Sequence, residues 1–172
     1  MILPERYINY RLQAKADSPK MDKIPCDASG KSINPHDPSQ WMTHEAAQAR
    51  VRDPVSGVGF ILNGDGWFCI DLDNCRNATT GEYTSAAISI YQSFPGALGE
   101  VSVSGTGLHI FGRCDPRQLA DRRNKWDGDK EWYHTGRFIA LSPHGLTPIG
   151  GAWIDKDWTD QLLRLVPRRG DV

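Results

Sequence analysis

Apolar and polar positions alternate with a period of two along "GWFCIDLDNC", Gly66–Cys75. Side chains two apart on a strand share a face, so Phe68, Ile70 and Leu72 turn toward a core while Asp71 and Asp73 stand together on the other side. Two carboxylates that close repel each other unless a proton or a cation lies between them. Two readings stay open on this stretch alone: a capping and a solvated aspartate, or a cation site. Upstream, "GVGFIL" is a second short apolar run, and the "NGDG" between it and "WFCIDLD" predicts a hairpin. "EVSVS" and "LHIFGR", joined across "GTG", predict another, and "EWYH" and "RFIALS", joined at "TG", a third.

Helical periodicity marks three segments. "THEAAQARVRD" has Thr43 as a candidate N-cap and alanines that favour helix. "TSAAISIYQSF" places Ala86, Ile90 and Phe94 four apart beside Ala87 and Tyr91, and Pro95 and Gly96 end it. "DKDWTDQLLRLV" reads as a closing helix with Asp157 as its N-cap. Residues 15 to 40 are rich in Lys, Asp, Ser, Pro and Gly and read as successive turns, a long irregular stretch of the kind that is often functional. The predicted order is α–β–β–α–β–β–β–β–α, an α+β plan with a largely antiparallel sheet, helices on one face and the other left for function.

Composition narrows the class only slightly. The chain has 172 residues, 39% of them hydrophobic and 24% charged, which suits one compact domain rather than disorder. A net charge of −1 counts mildly against a nucleic-acid binder as a total, but a carboxylate-rich site offsets a local basic patch. The four cysteines form no C-x-x-C pair and no zinc spacing, and Cys69 reads as a small buried residue. "MILPERYINYRLQ" lacks the layout of a signal peptide, and no stretch approaches the roughly 18 apolar residues of a membrane span. The expectation is a soluble, reduced protein of the cytoplasm or nucleoid with no membrane partner.

The strand ends carry the chemistry. Beside Asp71 and Asp73, "SVSGTGLHIF" supplies Ser104, Gly105, Thr106 and Gly107 in a turn, then His109 on the face opposite Leu108 and Ile110. "EWYHTGRFIALS" supplies Glu131 before its turn and Arg137 after it. Glycine turns leave backbone N–H groups that suit phosphate oxygens. Three carboxylates form a hard oxygen set for Mg²⁺ or Mn²⁺, and two such ions clamp the attacking and leaving oxygens of a phosphoryl transfer. A histidine and an arginine nearby suit a triphosphate. Each part alone is weak; the combination on adjacent strands points to nucleotidyl transfer.

"CIDLD", "SVSGTGLHIF" and "EWYHTGRFIALS" resemble, in this order, the three motifs of the archaeo-eukaryotic primase superfamily, nearest to the primase-polymerases of phages and plasmids. The lead-in "KIPCDASGK…NPHDPSQWMTHEAAQA" is similar to theirs, and the likeness covers roughly residues 20 to 142. The resemblance implies a catalytic palm on an RRM-like antiparallel sheet with helices on one face. The whole of residues 1–172 is then one catalytic domain: about 1–60 an N-terminal module and lead-in, about 58–142 the palm, and 153–172 a closing helix and linker stub. It implies two Mg²⁺ or Mn²⁺ ions on Asp71, Asp73 and Glu131, and His109 on the incoming phosphates with Ser104, Gly105, Thr106 and Gly107 in the supporting turn. Arg137 is a candidate for a phosphate or template contact and Phe138 for the sugar, where some relatives have tyrosine. The partners implied are a single-stranded DNA template with its primer and dNTPs or rNTPs. Relatives that start new strands carry a helical module after the palm and often a helicase, in cis or in trans, so primer extension is expected here rather than unprimed initiation.

The most basic stretch, "RCDPRQLADRRNKW", offers Arg113, Arg117, Arg122, Arg123 and Lys125 with Trp126 beside them. It reads either as a track for a single strand with the tryptophan as stacking surface, or as a solvated loop with a half-buried ring. Lys125 is the member placed to reach an incoming nucleotide. Three rivals remain. A replication nickase needs an H-hydrophobic-H metal motif, and "LHIFG" has one histidine. A metal-dependent nuclease or phosphodiesterase shares the generic D-x-D with Glu. A non-catalytic RRM exposes aromatics where this chain has carboxylates.

Overall fold

The computed structural model describes residues 2–171; Met1 and Val172, the two ends of the expected domain, lie outside the described residues. The chain is α+β with mostly antiparallel sheets. It forms two compact units, residues 1–61 with 137–143, and residues 62–136 with 144–172. No helix is long and apolar enough to cross a membrane among the described residues.

The first unit holds strands β1 (Tyr7–Lys15), β2 (Ser18–Cys26), most of β3 (Gly57–Asn63) and of β9 (Thr135–Ala140), and helix α1 (His44–Ala49). They build a four-stranded sheet in the order β2-β1-β3-β9. The β1–β2 hairpin occupies part of the segment read from sequence as turns. Its second strand is an edge, mostly exposed and carrying Pro19 and Pro25, so its composition imitates a loop. Tyr7 packs against Phe60 and His44, and Asn9 ties the sheet to α1 by donating to the carbonyls of Ala47 and Gly57. Thr43 caps α1 as expected, accepting from the Ala46 N–H. Gly57 and Gly59 leave room for the Tyr10 and Phe138 rings: a Cβ on Gly57 would stand 2.5 Å from the Tyr10 hydroxyl.

The second unit contains β4 (Trp67–Leu72), α2 (Ser85–Gln92), β5 (Leu98–Val101), β6 (Leu108–Arg113), β7 (Lys125–Trp126), β8 (Lys130–Tyr133), β10 (Thr147–Pro148) and α3 (Thr159–Leu165). Its sheet runs β10-β5-β6-β4-β8-β7. The alternation read from "FCIDL" holds. Phe68, Ile70 and Leu72 join Leu108, Ile110 and Trp132 in a core closed by Ala87 and Ile90 of α2 and Leu162 of α3. Thr84 caps α2. At α3 the Asp157 carboxylate accepts from the Thr159 N–H, one position outside the helix start.

Of the three expected hairpins, only β5–β6 forms. β3 and β4 belong to different sheets, and so do β8 and β9. The reason lies in the burial of β3, which is enclosed along Gly57–Leu62 where a one-sided hairpin strand would alternate. The chain instead passes between sheets at "NGDG", at His134 just before "TG", and again between β9 and β10, and the Gly64 N–H donates to the His134 carbonyl where the first two meet. The Pro167–Arg169 segment, expected as a linker stub, is bonded to residues 121–123: Arg123 N–H donates to the Pro167 carbonyl and Arg169 N–H to that of Asp121.

Phe68 is fully buried, packs at a tilt against Phe94, and fills the space that Gly112 leaves open. Replacing it with alanine is expected to cost about 3–5 kcal/mol in urea unfolding. Ile88→Ala, at a 42% exposed position of α2, should change stability by no more than about 0.5 kcal/mol.

Candidate active site: a charged row across five strands

Antiparallel pairing sets five residues side by side. Glu100 of β5 lies opposite His109 of β6, His109 opposite Asp71 of β4, Asp71 opposite Glu131 of β8, and Glu131 opposite Lys125 of β7. The next row on the same face is apolar: Leu98, Phe111, Cys69 and Tyr133. Direct cross-strand neighbours on one face interact most strongly, so the sheet itself delivers the charges to one another.

The contacts follow the register. His109 Nδ1 is 2.8 Å from Glu100 Oε1, and its Nε2 is 3.5 Å from Asp71 Oδ1. At the other end Lys125 Nζ is 2.7 Å from Glu131 Oε1, while the Tyr133 hydroxyl donates to Glu131 Oε2 at 2.7 Å. Burial falls along the row: Glu100 and His109 are enclosed, Asp71 and Glu131 partly so, and Lys125 is exposed. Burial alone would lower the His109 pKa, but hydrogen bonding and charge from Asp71 and Glu100 outweigh it and raise it to about 9. The ring is an imidazolium at neutral pH.

The glycine turn differs from the expected cradle. Gly105 N–H donates to the Ser102 carbonyl and Gly107 N–H to the Ser102 hydroxyl, so these amides are spent inside the turn. What the turn carries instead is a chain of hydroxyls, Ser102 to Ser104 at 3.0 Å and Ser104 to Thr106 at 2.9 Å. Gly105 is needed for its φ of +78°, and Gly107 for closeness: a Cβ there would meet the Leu72 carbonyl oxygen at 2.6 Å. Arg76 braces the turn by donating to the Gly105 carbonyl at 2.8 Å, and its guanidinium lies over Tyr83.

Asp71, His109, Glu131 and Lys125 are thus brought together. Asp73 stands one step beyond β4, its N–H bonded to the Asp129 carbonyl, and lines a cavity of about 220 Å³ with Asn74, Thr84 and Asp129. Among the described residues no three His, Cys, Asp or Glu side chains converge as a ready metal cage. The donor chemistry nonetheless suits a hard cation: Asp71 and Glu131 face each other across neighbouring strands, and the Lys125 ammonium shows a positive charge seated on one of them. Arg137 and Phe138 belong to the first unit, where the Phe138 ring lies beside Gly59 and Tyr10; they are not part of the row.

The basic stretch divides. Trp126 is 7% exposed within the core, which corrects its expected role as a stacking surface: no ring face is left for a base. Arg122 is tucked in and donates to the Val166 carbonyl, and Arg123 donates to that of Arg168. Arg117 is exposed but closed on Asp115 by two hydrogen bonds of 2.9 Å. Glu100, Ser102, Arg76 and Tyr133 escaped the sequence reading. Glu100 had a signal: in a β5–β6 hairpin with His109 on the site face, a residue on β5 must oppose it.

His109 gives a pH signature. Its folded pKa of about 9 exceeds the ordinary value of 6.5, so its stabilising contribution is complete below about 6.5 and lost as pH rises through about 9. Burial also pushes the folded-state thiols of Cys26, Cys69, Cys75 and Cys114 up, so they add their own loss of stability as pH rises through the ordinary thiol range, and only the difference between wild type and a His109 variant isolates the imidazole. In chelator, urea unfolding of the wild type should lose on the order of 2–3 kcal/mol more between pH 6.5 and 9.5 than that of His109→Gln. His109→Gln should flatten that slope; an unchanged slope in the variant would contradict the assignment.

Neither a model of any known protein family nor any curated protein matches the chain, so the geometry of the row carries the functional reading.

Proposed function

We propose that the chain is the catalytic domain of a template-directed nucleotidyltransferase, a DNA polymerase or primase of the primase-polymerase type, acting in phage or plasmid replication. The observation that carries the reading is the single register that sets Asp71, Glu131 and His109 side by side on one sheet face. Residues chosen from three separate motifs meet there, as the resemblance requires. The sheet with helices α2 and α3 on its opposite face is what an RRM-like palm would need.

Each residue has a task in this reading. Asp71 and Glu131, with Asp73 one step away, would hold Mg²⁺ or Mn²⁺. Divalent cations bound there supply charge neutralisation and lower the pKa of an attacking primer hydroxyl. The His109 imidazolium, kept charged by Glu100, donates to a phosphate oxygen and stabilises the leaving pyrophosphate. Glu100 is a positioning residue: it holds Nδ1 so that Nε2 turns toward Asp71 and the reacting side. The Ser104 and Thr106 hydroxyls offer donors to the triphosphate on a turn that Arg76 keeps rigid. Exposed Arg117 and half-buried Arg123 are the arginines proposed to meet a single-stranded template.

Extension of a labelled primer on single-stranded DNA, with dNTPs or rNTPs and Mg²⁺ or Mn²⁺, tests this. The wild type should extend, and Asp71→Ala/Asp73→Ala should lose at least about a thousandfold, roughly 4 kcal/mol of transition-state stabilisation. Degradation of the DNA without nucleotide dependence would replace the polymerase by a metal-dependent nuclease. Binding without turnover would leave a nucleic-acid-binding module.

A further inference from the structure

Both oxygens of Glu131 are engaged in this structure, and the two engagements differ in kind. Oε2 accepts from Tyr133, whose ring is 6% exposed and held in the sheet two residues along the same strand. Oε1 meets Lys125, whose side chain is 64% exposed and which stands on the two-residue edge strand β7. The first contact is fixed by packing; the second hangs on a flexible stem. Exposed lysine–carboxylate pairs are weakly held, and a doubly charged ion on the same oxygen attracts it more strongly than one ammonium does. Glu131 thus keeps its orientation through Tyr133 whether or not Lys125 stays.

We infer that Lys125 is a built-in counterion of the site: its ammonium occupies the cation position at Glu131 and is exchanged for a divalent cation when one binds. The inference rests on the proposed role of Glu131 as a metal ligand. It accounts for how Asp71 and Glu131 are tolerated opposite each other in the metal-free protein. His109 stands beside Asp71 on one side and Lys125 beside Glu131 on the other, so each of the two facing carboxylates has a cation on its outer flank. Only the Lys125 end is exposed enough to open. Lys125 therefore lowers the site's affinity for metal, an effect opposite in sign to that of a residue that helps hold the ion.

Mn²⁺ titration of the free protein, read from the electron paramagnetic resonance signal of unbound Mn²⁺, separates these cases. Lys125→Met should bind Mn²⁺ about fivefold more tightly than the wild type. Lys15→Met removes the same charge from another exposed lysine–carboxylate pair, with Asp22 in the other sheet, and should leave the affinity unchanged. In a Glu131→Gln background the gain from Lys125→Met should vanish, because the lysine acts through that carboxylate. Lys125→Gln repeats the measurement with a polar side chain, and circular dichroism checks that each variant is folded. Equal or weaker binding in Lys125→Met, an equal gain in Lys15→Met, or no Mn²⁺ binding by any variant would each overturn the inference. Primer extension by the wild type is scored separately. Tighter Mn²⁺ binding in Lys125→Met without any extension would keep the counterion and remove the polymerase. Extension with no change in affinity would do the reverse.

Discussion

A charged imidazole enclosed between two carboxylates is the constraint on which the second unit is built. His109 is 6% exposed and Glu100 5% exposed, and burying either alone would cost several kcal/mol. They are tolerable only face to face, which requires β5 and β6 to pair in one register, and with Asp71 it requires the same of β4. A slip of one residue would turn each of these side chains to the helical face and bring Leu108 or Ile110 out of the core. The apolar row of Leu98, Phe111, Cys69 and Tyr133 beside the charges makes that penalty act on both sides of the sheet at once.

The same constraint links stability to chemistry. A charged pair that fixes register is also a donor and an acceptor held in place with little freedom to reorganise, the condition under which electrostatic stabilisation of a phosphate is most effective. The gradient along the row matters as well. Its enclosed end at Glu100 is structural, its middle at Asp71 and Glu131 remains reachable, and its end at Lys125 is exposed to solvent. Strand position alone produces this order, because β7 is the sheet edge and β6 lies inside it.

Much of the site was legible because it is written in local alternation. Asp71 and His109 each sit between two core residues and Glu131 sits next to the core residue Trp132, so a period of two was enough to place them on one face. Gly105 and Gly107 were legible as a turn, though not their purpose: the amides serve the turn itself, and Gly107 is there because Leu72 passes too near for a side chain. What failed was non-local. "NGDG" and "TG" are sound turn signals, but no turn states whether the following strand returns to its neighbour or enters another sheet. Trp126 looked like part of a basic surface because its neighbours in sequence are basic, whereas its neighbours in space are Trp132 and the rest of the core. The β1–β2 hairpin went unread because an exposed edge strand needs few apolar residues.

The central claim is that the Asp71–Glu131 pair is a cation site held open by the sheet. Anomalous diffraction from crystals equilibrated with Mn²⁺ tests it most directly. The account expects a peak about 2.1–2.2 Å from carboxylate oxygens of both Asp71 and Glu131, with Lys125 withdrawn from Glu131. Lys125 still seated on Glu131, and Mn²⁺ absent from the pair or bound elsewhere, would contradict it.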